Sequence, residues 1–217
     1  MTLRAVATLE KIDCVVAPES EKSKGSRALE IASSHLPGQI EKVYLHFPMS
    51  YDTGHLASMW EENVSKILTI IEEGKNVGFL TLGDPGVYST YSYLVPLLLE
   101  KGVHVETVAG IPSFCAIGAR TNTPLAAWGE SLAVIPMRKG AGARVDDALD
   151  RHENVIVMKP SADPLSLRDI IEKRGLDSDF ILVSRCGTCE ERISREVSDL
   201  DSTLPYLSTL IIKKGGM

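Results

Sequence analysis

A chain of 217 residues, 44% hydrophobic and 24% charged, has the composition of a folded globular protein and lacks the low-hydrophobicity, high-charge signature of disorder. Its 29 acidic residues outweigh 23 basic ones, for a formal net charge of -6, and no block of like charge supplies the basic face that a nucleic-acid backbone requires. No run approaches the roughly 20 apolar residues that span a bilayer, the N-terminus does not read as a signal peptide, and the cysteines at 14, 115, 186 and 189 form no disulfide framework. A cytoplasmic protein with reduced thiols and neither nucleic acid nor membrane as partner is therefore expected.

Met1, Thr2 and Leu3 open a short amphipathic stretch that leads into a strand at Asp13–Ala17. A helix is predicted at Ser26–His35, a strand at Lys42–His46 and a long helix at His55–Glu73. In that helix Leu56, Met59, Trp60, Val64, Ile67, Leu68 and Ile71 recur at the three-and-four spacing of one buried face. Strands at Asn76–Thr81 and Val103–Val108 flank a helix at Tyr88–Lys101, and a further helix covers Ser113–Arg120. Beyond it come a strand at Ser131–Ile135, a helix at Val145–Arg151, a strand at Asn154–Met158 and a helix at Pro164–Lys173. The last two strands, Phe180–Ser184 and Leu207–Lys213, are joined by a connection that need not be helical.

The alternation defines an α/β protein. Composition shifts at Trp128–Ile135, which Pro136 and the glycine-rich MRKGAGAR follow, and a domain boundary is placed near Gly129. The expectation is an N-terminal α/β domain, 1–128, with a mostly parallel sheet and a C-terminal α/β domain, 129–217, with a mixed one. The terminal KKGGM reads as a frayed tail.

The most informative stretch is VGFLTLGDPGVYSTYSYLVPLLLEKG, where a buried strand enters Gly83-Asp84-Pro85-Gly86 and then a helix. Ligands in open parallel sheets lie beyond the carboxyl ends of strands, and glycines around a proline let a ligand approach the main chain. Taken alone, an Asp-Pro-Gly turn is more readily a plain structural turn. No phosphate-binding pattern is present: neither G-x-x-x-x-G-K-[ST] nor G-x-G-x-x-G after a strand occurs, and the turn presents an acid where a phosphate needs a donor. A second unusual turn, Ala109-Gly110-Ile111-Pro112-Ser113, follows the next apolar segment and enters a helix of small residues.

Four segments in order, LGDPGVYSTYSYL, VAGIPSFCAIGARTNTPLA, VIVMKPS and VSRCGT, resemble successive motifs of the tetrapyrrole methylase family over nearly the whole chain. The YST after the GDP turn, the HFPMSYD segment from His46 to Asp52 and the MKPS and RCGT forms are most similar to the branch that methylates precorrin-2, with or without cobalt, at carbon 20. The resemblance implies a two-domain homodimeric enzyme with S-adenosylmethionine in the cleft between domains and a tetrapyrrole beside it. Matched motif by motif, it implies that Leu82, Gly83, Asp84 and Val87 hold the methionine and ribose parts of the donor. Pro112 and Ser113 make the next contact, Met158 lies against adenine, and Gly187 gives a close backbone approach. One departure accompanies it: relatives begin with a strand and a Gly-Pro-Gly-Asp-Pro type turn, which has no counterpart here, and the absence would expose a neighbouring strand's hydrogen-bonding edge.

Methyl transfer from a sulfonium requires positioning and exclusion of water, and no nucleophilic residue, so no catalytic residue is assigned. Arg120, Arg138, Lys159 and Arg185 stand near motif ends as candidates for the substrate's carboxylates, beside the alternative of solvated charges. Tyr51, Tyr88 and Tyr91 are candidates to lie against the macrocycle, with Tyr88 preferred because Tyr91 fits core packing better. His46 is a candidate substrate contact at a strand end. The pair Cys186 and Cys189 has redox spacing but no second pair to complete a zinc site, and no metal site is expected. Two rivals remain: a methylase of the same fold acting on another ring carbon or in diphthine synthesis, and a shortened protein that binds the donor without turnover.

Overall fold

The computed structural model describes residues 1–19, 25–47 and 53–216, with backbone only at 53–55. Two compact units divide the chain, Met1–Pro112 and Ser113–Met217.

In the first unit, α1 (Leu3–Leu9) begins at Thr2, whose hydroxyl accepts the Ala5 amide at 3.2 Å and so satisfies one of the free donors of the first turn. There follow β1 (Cys14–Glu19), α2 (Arg27–Ala32), which runs on into a 3-10 turn at Ser33–His35, β2 (Glu41–His46), α3 (Thr53–Glu72), β3 (Val77–Phe79) and α4 (Tyr91–Glu100). The strands form a parallel sheet in the order β2-β1-β3. Its centre, β1, is buried on both faces with a period of two. Val16 packs with Leu45 and Phe47 against Val64 and Ile67 of α3 and Leu94 and Leu98 of α4, whereas Val15 and Ala17 face Leu29 of α2. The predicted face of α3 is the one buried. Its Trp60 stacks on Tyr93 of α4 with centroids 4.3 Å apart, and the buried Asn63 donates to the His46 carbonyl at 3.0 Å, tying α3 to the end of β2.

Val103–Val108, expected as a strand, is not one. Val103 and Val105 pack against the same core as α3 and α4, but the segment carries no ladder. Burial of alternate valines satisfies the sequence pattern, whereas a strand also needs a backbone partner, and none is present among the described residues. Likewise β3 pairs with β1 alone, and its second edge is open among the described residues.

The second unit opens with α5 (Ser113–Arg120) and continues through β4 (Leu132–Pro136), α6 (Gly142–Arg151), β5 (Asn154–Met158), α7 (Pro164–Arg174), β6 (Phe180–Ser184), β7 (Arg192–Ser194) and β8 (Ser208–Lys213). Compact packing thus begins at Ser113, N-terminal to the composition shift at Gly129. The sheet order is β4-β5-β8-β6-β7, with β4 and β5 parallel and the remaining pairs antiparallel, the mixed sheet expected. Val155, Val157, Leu182, Leu210 and Ile212 bury one face beneath Val145 and Leu149 of α6 and Leu167 and Ile171 of α7. Pro164 starts α7, where its missing N–H is not needed, and Gly175 ends it at φ 64°, with the Leu176 amide returning to the Ile171 carbonyl at 3.0 Å. Strand β7 was not foreseen, because three largely exposed residues carry no detectable period. No helix among the described residues is long and apolar enough to cross a membrane.

At the amino ends of β4 and β5, two carboxylates hold the sheet margin. Glu130 accepts from Lys213 Nζ at 2.8 Å, the Ala127 amide at 2.8 Å and Asn154 Nδ2 at 3.0 Å, and Lys213 above all lowers its pKa to about 2. Glu153 accepts the Ser131 hydroxyl at 2.6 Å and amide at 2.8 Å, which lower its pKa to about 2. Both folded values lie below the ordinary 4.5, so their contribution is complete above that value and is lost as pH falls through about 2. Acid titration of the melting temperature is expected to show a decline between pH 4.5 and 2 that is shallower in Glu153→Gln; an identical slope in the variant removes Glu153 from the account.

Candidate functional site

Strand β3 ends at Phe79, and the Leu80 amide still reaches the Val16 carbonyl at 2.9 Å. The chain then turns through Leu82, which is half exposed, and Gly83 at φ 86°, a left-handed conformation that glycine adopts without a Cβ penalty. Asp84 follows. Its Oδ1 accepts the Gly86 amide at 2.8 Å and its Oδ2 accepts the Gly110 amide at 2.8 Å, while the Val87 amide closes onto the Asp84 carbonyl at 3.2 Å. The two turns that sequence reasoning treated as separate ligand-facing elements are therefore one joint. A Cβ on Gly110 would lie 2.0 Å from the Gly83 carbonyl oxygen and 3.1 Å from Asp84 Cα, so only glycine permits the approach. Backbone amides thus engage each oxygen of Asp84, which ties the two turns together. The signal was available in Gly110, but nothing local in the sequence pairs it with Asp84, 26 positions earlier.

Around this joint, Tyr88 stands in left-handed backbone at φ 49° with its side chain half exposed, an uncommon conformation for a bulky residue. Tyr91, the less favoured aromatic, is structural: its ring faces Phe79 with centroids 6.2 Å apart and its hydroxyl meets Thr107 Oγ1 at 2.5 Å. The Thr2 hydroxyl donates to the Ala109 carbonyl at 3.2 Å, so α1 starts beside the second turn. His46 ends β2, and its Nδ1 is buried without a hydrogen-bond partner among the described residues. Tyr51 and the rest of the HFPMSYD segment after Phe47 lie outside the described residues.

Pro112 closes the first unit and Ser113 opens the second. There the Ser113 hydroxyl lies 3.3 Å from Thr209 Oγ1 at the start of β8. Met158, half-buried at the end of β5, accepts the Met137 amide at 2.7 Å. Lys159 next to it is left-handed at φ 56° and ψ 47°. On the parallel strand β6 the corresponding exit is Arg185, also left-handed at φ 50°, followed by Gly187 at φ 77°. The sequence pattern had marked Met158, Arg185 and Gly187, and the sheet places all three at the carboxyl ends of β5 and β6.

Two acids that sequence reasoning missed knit the RCGTC loop. Glu190 pairs with Arg185. Glu191 accepts the Gly187 amide at 2.8 Å and Arg120 Nε at 2.8 Å, and the Gly187 amide, then the Arg120 guanidinium, lower its pKa. Of the four candidate cations, Arg120 and Arg185 are thus neutralised by the protein itself. The Cys186 thiol has its pKa raised, first by burial and then by Glu191, the reverse of a reactive thiol. Glu191→Gln, built with Cys115 and Cys189 replaced by serine, is expected to speed iodoacetamide alkylation of Cys186 severalfold at pH 8; an unchanged or slower rate counts against Glu191 as the source of the shift.

The turn after β3 in the first unit, and those after β5 and β6 in the second, lie at the carboxyl ends of strands, the place where α/β sheets hold ligands. The sequence profile of the Tetrapyrrole (Corrin/Porphyrin) Methylases matches residues 1–201, and the chain belongs to that family. It is 34% identical to the cobalt-precorrin-2 C(20)-methyltransferase of Salmonella typhimurium, across 99% of this chain and 90% of that protein. Identity to a probable cobalt-precorrin-2 C(20)-methyltransferase of Methanocaldococcus jannaschii is 36% with the same coverage. Among solved structures, a cobalt precorrin-4 methyltransferase superposes with a TM-score of 0.75 at 19% identity, covering 98% of this chain and 88% of the other. The uroporphyrin-III C-methyltransferase of Thermus thermophilus complexed with S-adenosyl homocysteine gives a TM-score of 0.67 at 20% identity, covering 98% and 90%. These two show the fold.

Proposed function

We propose that this methyltransferase moves the methyl group of S-adenosylmethionine to carbon 20 of a precorrin-2 tetrapyrrole, the cobalt-bearing form in the first instance, in corrin biosynthesis. The observation that carries the reading is the near-complete alignment with two cobalt-precorrin-2 C(20)-methyltransferases at 34% and 36% identity. The exposed main chain at Gly83, held in place by the joint of Asp84 and Gly110, supports it, since it fits the polar methionine and ribose parts of the donor. On this reading Leu82, Gly83, Asp84 and Val87 frame that part, Pro112 and Ser113 the next contact, Met158 the adenine and Gly187 a close main-chain approach.

The donor supplies an electrophilic methyl, and the electron-rich reduced macrocycle supplies the attacking carbon. The residues of this chain therefore position and desolvate, and need not form a covalent bond. Tyr88, His46 and Arg185 are the substrate-side candidates. Tyr88 offers a half-exposed ring held in an uncommon backbone conformation, and His46 offers a ring nitrogen with no partner among the described residues. Arg185 is already paired with Glu190 and would need to share its charge with the substrate.

We further propose a cytoplasmic homodimer, supported by the family resemblance and by Trp128, fully exposed before β4, a side chain enriched in protein interfaces. Light scattering of the purified chain and of Trp128→Ser reads this directly. The test of function is transfer of labelled methyl from S-adenosylmethionine to precorrin-2 and, separately, to cobalt-precorrin-2. Transfer to the cobalt form at the higher kcat/KM is the expected result. Binding of S-adenosylhomocysteine without transfer to either would overturn the reading in favour of a donor-binding protein.

A further inference from the structure

Lys159 is half-buried and meets no carboxylate among the described residues. Among the described residues, Lys75, Arg174, Arg185 and Lys213 each reach a carboxylate, Lys214 reaches the Leu149 carbonyl at 2.5 Å, and Arg168 lies in the field of Asp201. Lys159 has the face of the Tyr206 ring, 5.9 Å from its Nζ to the centroid, and no acid. An ammonium that faces only a distant ring keeps its donors available to an anion.

The backbone at this position is itself uncommon. Lys159 sits at φ 56° and ψ 47°, where a Cβ is crowded against the carbonyl and glycine would be at ease. Strain of this kind persists where the residue is kept for something other than stability. The place is specific: Lys159 leaves β5 one residue after Met158, on the edge where β4 ends in parallel with it, and the Met137 amide is bonded to the Met158 carbonyl. Arg138 leaves that neighbouring strand next, exposed and likewise without an acid partner among the described residues. The acid that follows Lys159 in the chain, Asp163, is engaged by the Gly140 amide at 2.8 Å.

We propose that Lys159, with Arg138 beside it, receives a carboxylate of the bound ligand. The inference rests on the methyltransferase reading for the identity of that ligand, which has two sources of carboxylate: the amino-acid end of the donor and the acetate and propionate arms of the tetrapyrrole. A protein of net charge -6 that takes a polyanionic substrate needs such local cations to offset the repulsion.

The experiment is fluorescence and calorimetric titration of the full chain with two probes, S-adenosylhomocysteine and uroporphyrin III, in the wild type and in Lys159→Met, Lys159→Arg, Lys159→Gly and Arg138→Gln. One probe is expected to bind about 10-fold or more weaker to Lys159→Met, a loss equivalent to one charge-assisted contact. Lys159→Arg should restore most of it, and the salt dependence of binding should flatten in the methionine variant. The probe that loses affinity identifies the source of the carboxylate. Lys159→Gly separates this role from a structural one: it should raise the melting temperature by about 2–4 °C through relief of backbone strain while weakening the same probe. Unchanged affinity for both probes in Lys159→Met, or failure of both to bind the wild type, overturns the inference. Lysine-dependent binding of uroporphyrin III without donor binding would instead remove the methyltransferase reading and leave this site standing.

Discussion

Replacing Gly110 with alanine is expected to lower the melting temperature by about 5 °C or more and to cut methyl transfer by on the order of 100-fold. An alanine Cβ would stand 2.0 Å from the Gly83 carbonyl oxygen and 3.0 Å from the carbon that bears it. Both are main-chain atoms of a turn pinned by hydrogen bonds, so no side chain can swing away to make room. Either the Ala109 to Ser113 turn or the Gly83 to Asp84 turn must move. Overpacking of this kind costs about 1–3 kcal/mol, and each kcal/mol shifts the melting temperature of a chain this long by about 2–4 °C. The effect on transfer is larger because an ångström of displacement in a positioning element is enough to lose about 100-fold. Gly38→Ala is the control, since a Cβ there meets nothing within 4 Å. Differential scanning calorimetry with a labelled-methyl assay decides: wild-type values for Gly110→Ala would show that the two turns do not touch.

Asp84→Ala should weaken S-adenosylhomocysteine binding by roughly 10- to 100-fold and also destabilise the fold, by about 1–3 kcal/mol, as two amides lose a charged acceptor. The paired effect is the diagnostic one. A carboxylate that touched only the ligand would lose affinity and leave stability intact, whereas one that accepts from Gly86 and Gly110 must lose both. Asp84→Asn sharpens the comparison. Its amide keeps one acceptor and turns a donor toward the other N–H, so the asparagine variant should fall near the alanine one. Calorimetric titration beside thermal unfolding of both variants reads the outcome; intact stability with lost affinity would return Asp84 to direct ligand contact.

Periodicity located most of the elements because the signals are local. The three-and-four spacing of Val64, Ile67 and Leu68 and the β-branched runs at β1, β5 and β8 report burial on one side of a helix or both sides of a strand, and neighbours in sequence are enough to show it. The pattern failed where structure depends on a distant partner. Val103–Val108 has the alternation of a strand and the burial of Val103 and Val105, yet no ladder forms, since a ladder requires a second backbone. Strand β7 shows the converse, paired through Leu182, Val183 and Ser184 of β6 although its own sequence gives no sign of it.

The site divides in the same way. Glycine-bounded turns after apolar segments were legible, and the motif resemblance proposed Leu82, Gly83, Asp84, Val87, Pro112, Ser113, Met158 and Gly187 as donor contacts. The charges were not. Arg120 and Arg185 looked equivalent to Lys159 in sequence, and only folding brought Glu190 and Glu191 to the first two while leaving the third with an aromatic ring. The sequence by itself determined an α/β protein, because hydrophobic period is a property of adjacent residues, and its four motifs in order carried the resemblance to the tetrapyrrole methylase family. Tertiary structure alone decided that Asp84 accepts from Gly110, why residue 110 is glycine and which of the candidate cations meet a carboxylate among the described residues, because each depends on atoms brought within a few ångströms from far along the chain.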